Sequence, residues 1–143
     1  MEHIDKFSFR CGVMSAFCEM IQAGVKRLAF SHADTTKQGR DSYHDAAAEI
    51  CKTYNTYLYP EDALLITDLF PISACKDRYI YIFYGKEADI NAYLTLKEQK
   101  QQLVQTGAYR GEAREAIARK MGELLSYTPE AIGRMIAENG EKE

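Results

Sequence analysis

Between Val25 and Leu69 the chain passes from an apolar stretch into a polar loop, then a helical pattern, then a second apolar stretch. That order suits a strand, a crossover helix and a parallel strand, and so a sheet covered by helices. Leu28 to Ala33 reads as the first strand and Leu64 to Phe70, closed by Pro71, as the second. Residues 34–41 are polar and rich in turn formers. Ser42, with Asp45 one helical turn on, marks a helix start, and Tyr43, Ala47, Ile50, Cys51 and Tyr54 supply its buried face.

The flanking segments extend this pattern. Phe7, Cys11, Met14, Cys18 and Ile21 recur at helical spacing, widened by Phe17, and Gly24 follows where a left-handed cap belongs. Tyr79 to Tyr84 is apolar on both faces and follows Phe70 too closely for a crossover helix, so it is expected to pair antiparallel with 64–70. After Gly85 the chain reads as helical over 87–106 and 111–125, then in a short piece opened by Thr128 as cap and Pro129 at the first helical position. Lys97 to Gln102 interrupts the apolar stripe of the first of these helices, as a solvated turn or, alternatively, an arm for dimerisation. The expected fold is α/β, or α+β: a single domain over 1–143 with a short mixed sheet of three to four strands, packed helices, and 87–139 as a C-terminal helical extension.

Composition narrows the function classes. No window approaches the roughly 20 apolar residues of a spanning helix, and a net charge of −3 with both signs interspersed leaves no electrostatic footprint for nucleic acid. Cys11, Cys18, Cys51 and Cys75 lack the spacing of zinc or redox motifs, so free thiols are expected. The opening Met-Glu-His-Ile-Asp-Lys lacks a leader's basic region and apolar core, which fits a cytoplasmic protein.

If the two strands at 28–33 and 64–70 are parallel, their C-terminal ends share an edge with the start of the helix between them. This is the usual ligand position in open α/β sheets. His32, Asp34, Lys37, Arg40, His44 and Asp68 would line that rim, with Arg10 and Cys11 of the first helix at the level of His32. Three chemistries suit these residue types. Cys11, His32 and Asp68 could act as nucleophile, base and orienting carboxylate. Lys37 and Arg40, beside Gly39, could hold a small anionic ligand such as a phosphate or carboxylate. His32 and His44 with Asp34 or Asp68 offer metal donors, without a recognisable spacing. Each has a plainer counterpart: Cys11 fits the core stripe, residues 34–41 a solvated turn, and Asp68 a carboxylate bound to a structural donor.

Near the C-terminus, Ile117 to Ile136 has the rhythm of a helix-turn-helix, but Gly122 and Ile132 lie too far apart for its tight turn, and Glu130, Arg134 and Glu138 suit phosphates poorly. A hairpin packing Ile117, Met121, Leu124, Ile132, Met135 and Ile136 is expected instead. The preferred function is a small ligand-binding or regulatory module, possessing neither metal nor cofactor and able to form a homodimer. The alternative is a small hydrolase or transferase using His32, Asp68 and Cys11, and DNA binding through the C-terminal helices ranks last.

Overall fold

A computed structural model describes residues 3–143. Met1 and Glu2, which begin the segment read for a leader, lie outside the described residues. Helix α1 (Lys6–Gln22) starts where Asp5 accepts a hydrogen bond from the Ser8 amide at 3.0 Å, and it buries Met14, Cys18 and Ile21 as their spacing predicts. Its end is turned by Gly24 at φ +80°, a conformation that costs glycine nothing. Beyond the turn, Lys26 Nζ donates to the Leu125 carbonyl at 2.7 Å and Arg27 Nε to Asp89 at 2.8 Å, tying this corner to the C-terminal helices.

Strand β1 (Leu28–Phe30) is followed by a one-turn helix, α2 (Lys37–Asp41), and then by α3 (His44–Tyr54). The polar stretch 34–41 is therefore partly helical: Thr36 Oγ1 caps it by accepting from the Gly39 amide at 2.9 Å. Ser42 does not open α3. It closes α2, its hydroxyl donating to the Gly39 carbonyl at 2.6 Å, and α3 starts at His44 without a side-chain cap.

Strand β2 (Tyr57–Glu61) precedes the short α4 (Ile72–Cys75), and strand β3 (Ile80–Tyr84) leads into α5 (Glu87–Gln105), α6 (Gly111–Leu124) and α7 (Pro129–Glu138). The three strands form one sheet in the order β1-β3-β2, antiparallel throughout, with Phe30 opposite Ile82 and Glu61 opposite Ile80. The expected fold class holds, while its internal topology differs. The sheet is not mixed, 64–70 is not a strand, and the expected parallel pairing of 28–33 with 64–70 does not exist. The second strand lies at 57–61, parallel in direction to β1 but separated from it by β3, which bonds to both.

Residues 64–70 are a buried irregular segment, and their polar backbone is satisfied by side chains in place of a ladder. Tyr93 Oη accepts from the Leu65 amide at 3.0 Å, Lys100 Nζ donates to the Ile66 carbonyl at 2.6 Å, and Asn139 Nδ2 donates to the carbonyls of Asp68 and Phe70 at 3.0 and 3.1 Å. The polar turn in α5 is part of the same anchoring. Lys97 Nζ reaches the Ala63 carbonyl at 2.7 Å and Glu61 Oε2 at 2.8 Å, where Tyr93 Oη also donates at 2.7 Å to that buried carboxylate.

The side chains of β3 divide the interior. Ile80 and Ile82 join Leu64, Leu69 and the inner faces of α5, α6 and α7, whereas Tyr81 and Phe83 pack with Met14 and Cys18 of α1 and Ala47 and Cys51 of α3. Thr128 caps α7 from Oγ1 to the Ala131 amide at 3.2 Å, with Pro129 at its first turn. Ile117, Met121, Leu124 and Ile132 are buried together with Met135 and Ile136 against them, the expected hairpin.

Candidate functional site

Where the N-terminal half of α1 crosses the end of β1, a cavity of about 250 Å³ opens between the helix and the sheet. The helix contributes Phe9, Val13 and Phe17, a second stripe one turn apart, with Arg10 and Met14 beside it. The opposite wall is Phe30, Ser31, His32 and Asp34 from the end of β1, with Tyr43 and Tyr81. The lining is thus apolar and largely aromatic, and its polar groups collect at one end.

At that end Arg10 Nη2 donates to Asp34 Oδ2 at 2.6 Å, with the two side chains only 11% and 13% exposed. The guanidinium carbon stands 3.8 Å from the centroid of the Tyr43 ring, and Tyr43 in turn stacks on Phe7. Ser31 Oγ accepts from the Tyr81 amide at 2.8 Å and donates to the His32 carbonyl at 3.3 Å, so this hydroxyl is committed to holding β1 against β3. Burial, and then the positive charge of Arg10, hold the His32 imidazole below its ordinary pKa, which favours the neutral ring.

Arg40 forms part of the same wall but serves the scaffold. Only 2% exposed, it bonds Asp62 at 2.6 Å, the Glu61 carbonyl at 3.0 Å and Asp41 at 3.0 Å, riveting α2 to β2. Lys37 pairs with Asp62 at 3.3 Å on the outside, in a shallow recess that also contains His44. The two cations read as an anion cradle are therefore already matched by Asp41 and Asp62. Tyr81, its phenol pushed up to about 12 by burial and by Asp41, separates this recess from the cavity together with Arg40.

Asp68 lies with the other core. Both of its carboxylate oxygens accept from Arg114, Nε and Nη2 each at 2.8 Å, and the residue is buried beside Leu69 and Asn139. The rim drawn from a parallel 28–33 and 64–70 pair therefore does not form. His32, Asp34, Arg40 and Arg10 meet at the cavity, Lys37 and His44 share the recess, and Asp68 joins neither. Cys11 is half-buried against the core between α1 and α3 and does not line the cavity, so Cys11, His32 and Asp68 are not a triad. Among the described residues, no group of three His, Cys, Asp or Glu side chains is placed to hold a metal ion.

Phe9 and Val13 are absent from the rim expected from the sequence, and Met14, Phe17 and Tyr43 belong there to the core stripes alone. The available signal was the spacing Phe9, Val13, Phe17, a second apolar stripe too wide for one helix-helix contact. Comparison with protein-family models, curated proteins and solved structures finds no match.

Proposed function

We propose that this chain is a small-molecule binding module whose ligand enters the cavity between α1 and the end of β1. One observation supports this above the rest: a concave aromatic and aliphatic lining that ends in a few converging polar groups, Arg10, Asp34 and His32. Such a division between shape and a few polar anchors characterises ligand sites, whose volumes run from roughly 300 to 1,000 Å³. At about 250 Å³ this cavity suits a compact ligand.

A binding role is favoured over hydrolysis or group transfer because the aliphatic hydroxyl in the lining, Ser31, is occupied by the β1–β3 backbone and the carboxylate, Asp34, by Arg10. Free thiols at all four cysteines would suit work in a reducing, cytoplasmic setting. Lys97 and Lys100, within the segment read as a dimerisation arm, are spent on internal anchoring.

The test is a fragment screen by ligand-observed NMR on the wild type and on Val13→Trp, which fills the cavity from the helix side. Compounds should bind the wild type, perturb the methyls of Val13 and Met14, and lose binding in a Val13→Trp protein of unchanged circular dichroism. A screen without binders, or binders indifferent to Val13→Trp, would refute the proposal.

A further inference from the structure

Resting on the binding role just proposed, we infer that the ligand class is an organic carboxylate whose acid group docks on Arg10 and whose flat hydrocarbon body lies along Phe9, Val13 and Phe17. The first support is unfilled donor capacity. Arg10 has five N–H groups, and the single bond its side chain makes among the described residues runs from Nη2 to Asp34. The two fork edges of a guanidinium share Nη2, which has two hydrogens. One bond to Asp34 therefore leaves a complete two-hydrogen edge, the geometry that receives a carboxylate.

The second support is pre-organisation. Tyr43 lies against the guanidinium at 3.8 Å and Asp34 pins Nη2, the nitrogen both edges share, so the free edge is held in place before any ligand arrives. Little side-chain entropy remains to be lost on binding. Arg40, the other guanidinium in the lining, has no such edge to offer, because Asp41, Asp62 and the Glu61 carbonyl take its nitrogens.

The third support is the local field. Among the described residues the charges that act on His32 are the cations Arg10, Lys6 and Arg78 and the carboxylate Asp34, which is already paired with Arg10, so the neighbourhood of His32 is positive on balance. A cationic ligand would be repelled there. A phosphate would fill the one free edge and leave most of its oxygens facing aromatic walls, whereas a carboxylate is satisfied by one fork and presents carbon to the remainder.

The probes are 2-naphthoate and its neutral isostere 2-naphthamide, titrated by two-dimensional NMR into the wild type, Arg10→Gln and Arg10→Lys. Naphthoate should bind the wild type about tenfold more tightly than the amide, the worth of a charge-assisted fork over a neutral contact. Arg10→Gln should bring the two probes to within about twofold of each other, and Arg10→Lys should retain part of the preference. Equal binding of both probes to the wild type, or a preference for naphthoate that survives Arg10→Gln, overturns the carboxylate assignment and leaves the cavity as a binding site. Binding of neither probe, with no fragment found for the cavity, overturns both proposals. The wild-type ratio decides the matter even if Arg10→Gln, deprived of its pair with Asp34, proves unfolded.

Discussion

Replacing Asp68 with asparagine should cost about 2 kcal/mol of stability and leave ligand binding at the α1 cavity intact. The carboxylate accepts from Arg114 Nε and Nη2 at 2.8 Å each, and its side chain is 10% exposed against 23% for Arg114. Breaking a fully buried ion pair from one side costs about 3–5 kcal/mol, chiefly because the remaining charge is stranded. Here the stranded guanidinium is relieved in part. Arg114 reaches water, keeps its bond to the Glu143 carbonyl at 2.8 Å and stays over the Tyr109 ring at 5.0 Å. The asparagine carbonyl retains one of the two acceptors, and the Asp68 backbone carbonyl keeps Asn139. The cost therefore falls below the buried limit, near the roughly 1.5–3 kcal/mol of a hydrogen bond to a charged group.

For a chain of this length each kcal/mol moves the melting temperature by about 3 °C, so Asp68→Asn should melt about 6 °C lower. Thermal and urea unfolding followed by circular dichroism supply the measurement. A double-mutant cycle with Arg114→Gln should show a coupling of about 1 kcal/mol or more, because the two residues share the same bonds. An unchanged melting temperature, or a cycle with no coupling, would refute the assignment of Asp68 to structure. Lost cavity binding at full stability would return it to a functional rim.

Two further outcomes follow from packing. In Gly122→Ala, the added methyl would lie 2.5 Å from Cγ1 and 2.7 Å from Cδ1 of the buried Ile132. Overpacking at about 1–3 kcal/mol should therefore exceed the gain of about 1 kcal/mol in helix propensity, and the same substitution should become neutral or stabilising in an Ile132→Ala background. Denaturing thiol titration without reductant should count four thiols. In the native protein the half-buried Cys11 should react ahead of Cys75, whose thiol burial pushes up to about 11, and of the fully buried Cys18. Fewer than four thiols, or uniform fast reaction of the folded protein, would contradict this packing.

The helices were legible where the chain carries both a stripe and an end signal. The pairing of a Phe7–Ile21 stripe with Gly24, and of Thr128 with Pro129, places α1 and α7 because caps and periodicity are local properties of the chain. The two strand segments that exchanged places illustrate what is not local. Residues 64–70 are as apolar as a buried strand, and only distant side chains on α5 and at Asn139 decide that their backbone bonds go elsewhere. Conversely, Tyr57–Glu61 contains Pro60 and is half-exposed, which argues against an interior strand and is tolerated because β2 is an edge. Neither the donors from α5 nor the edge position is written in the segment itself.

That exchange also accounts for the fate of the expected rim. Strands β1 and β2 are both antiparallel to β3, so they run the same way and their C-terminal ends lie at one edge, but the expected strand 64–70 is not one of them. With the second strand ending at Glu61, the acidic groups delivered to the edge shared with His32 and Asp34 are Glu61 and Asp62, in place of Asp68. Those carboxylates are spent, Asp62 on Arg40 and Lys37 and Glu61 on Lys97 and Tyr93. The edge is thereby closed by ion pairs on the side of α2 and β2. Its remaining opening faces α1, where Arg10 is the cation that keeps an unfilled edge, and the chemistry of this sheet end is consequently set by the first helix more than by the strands.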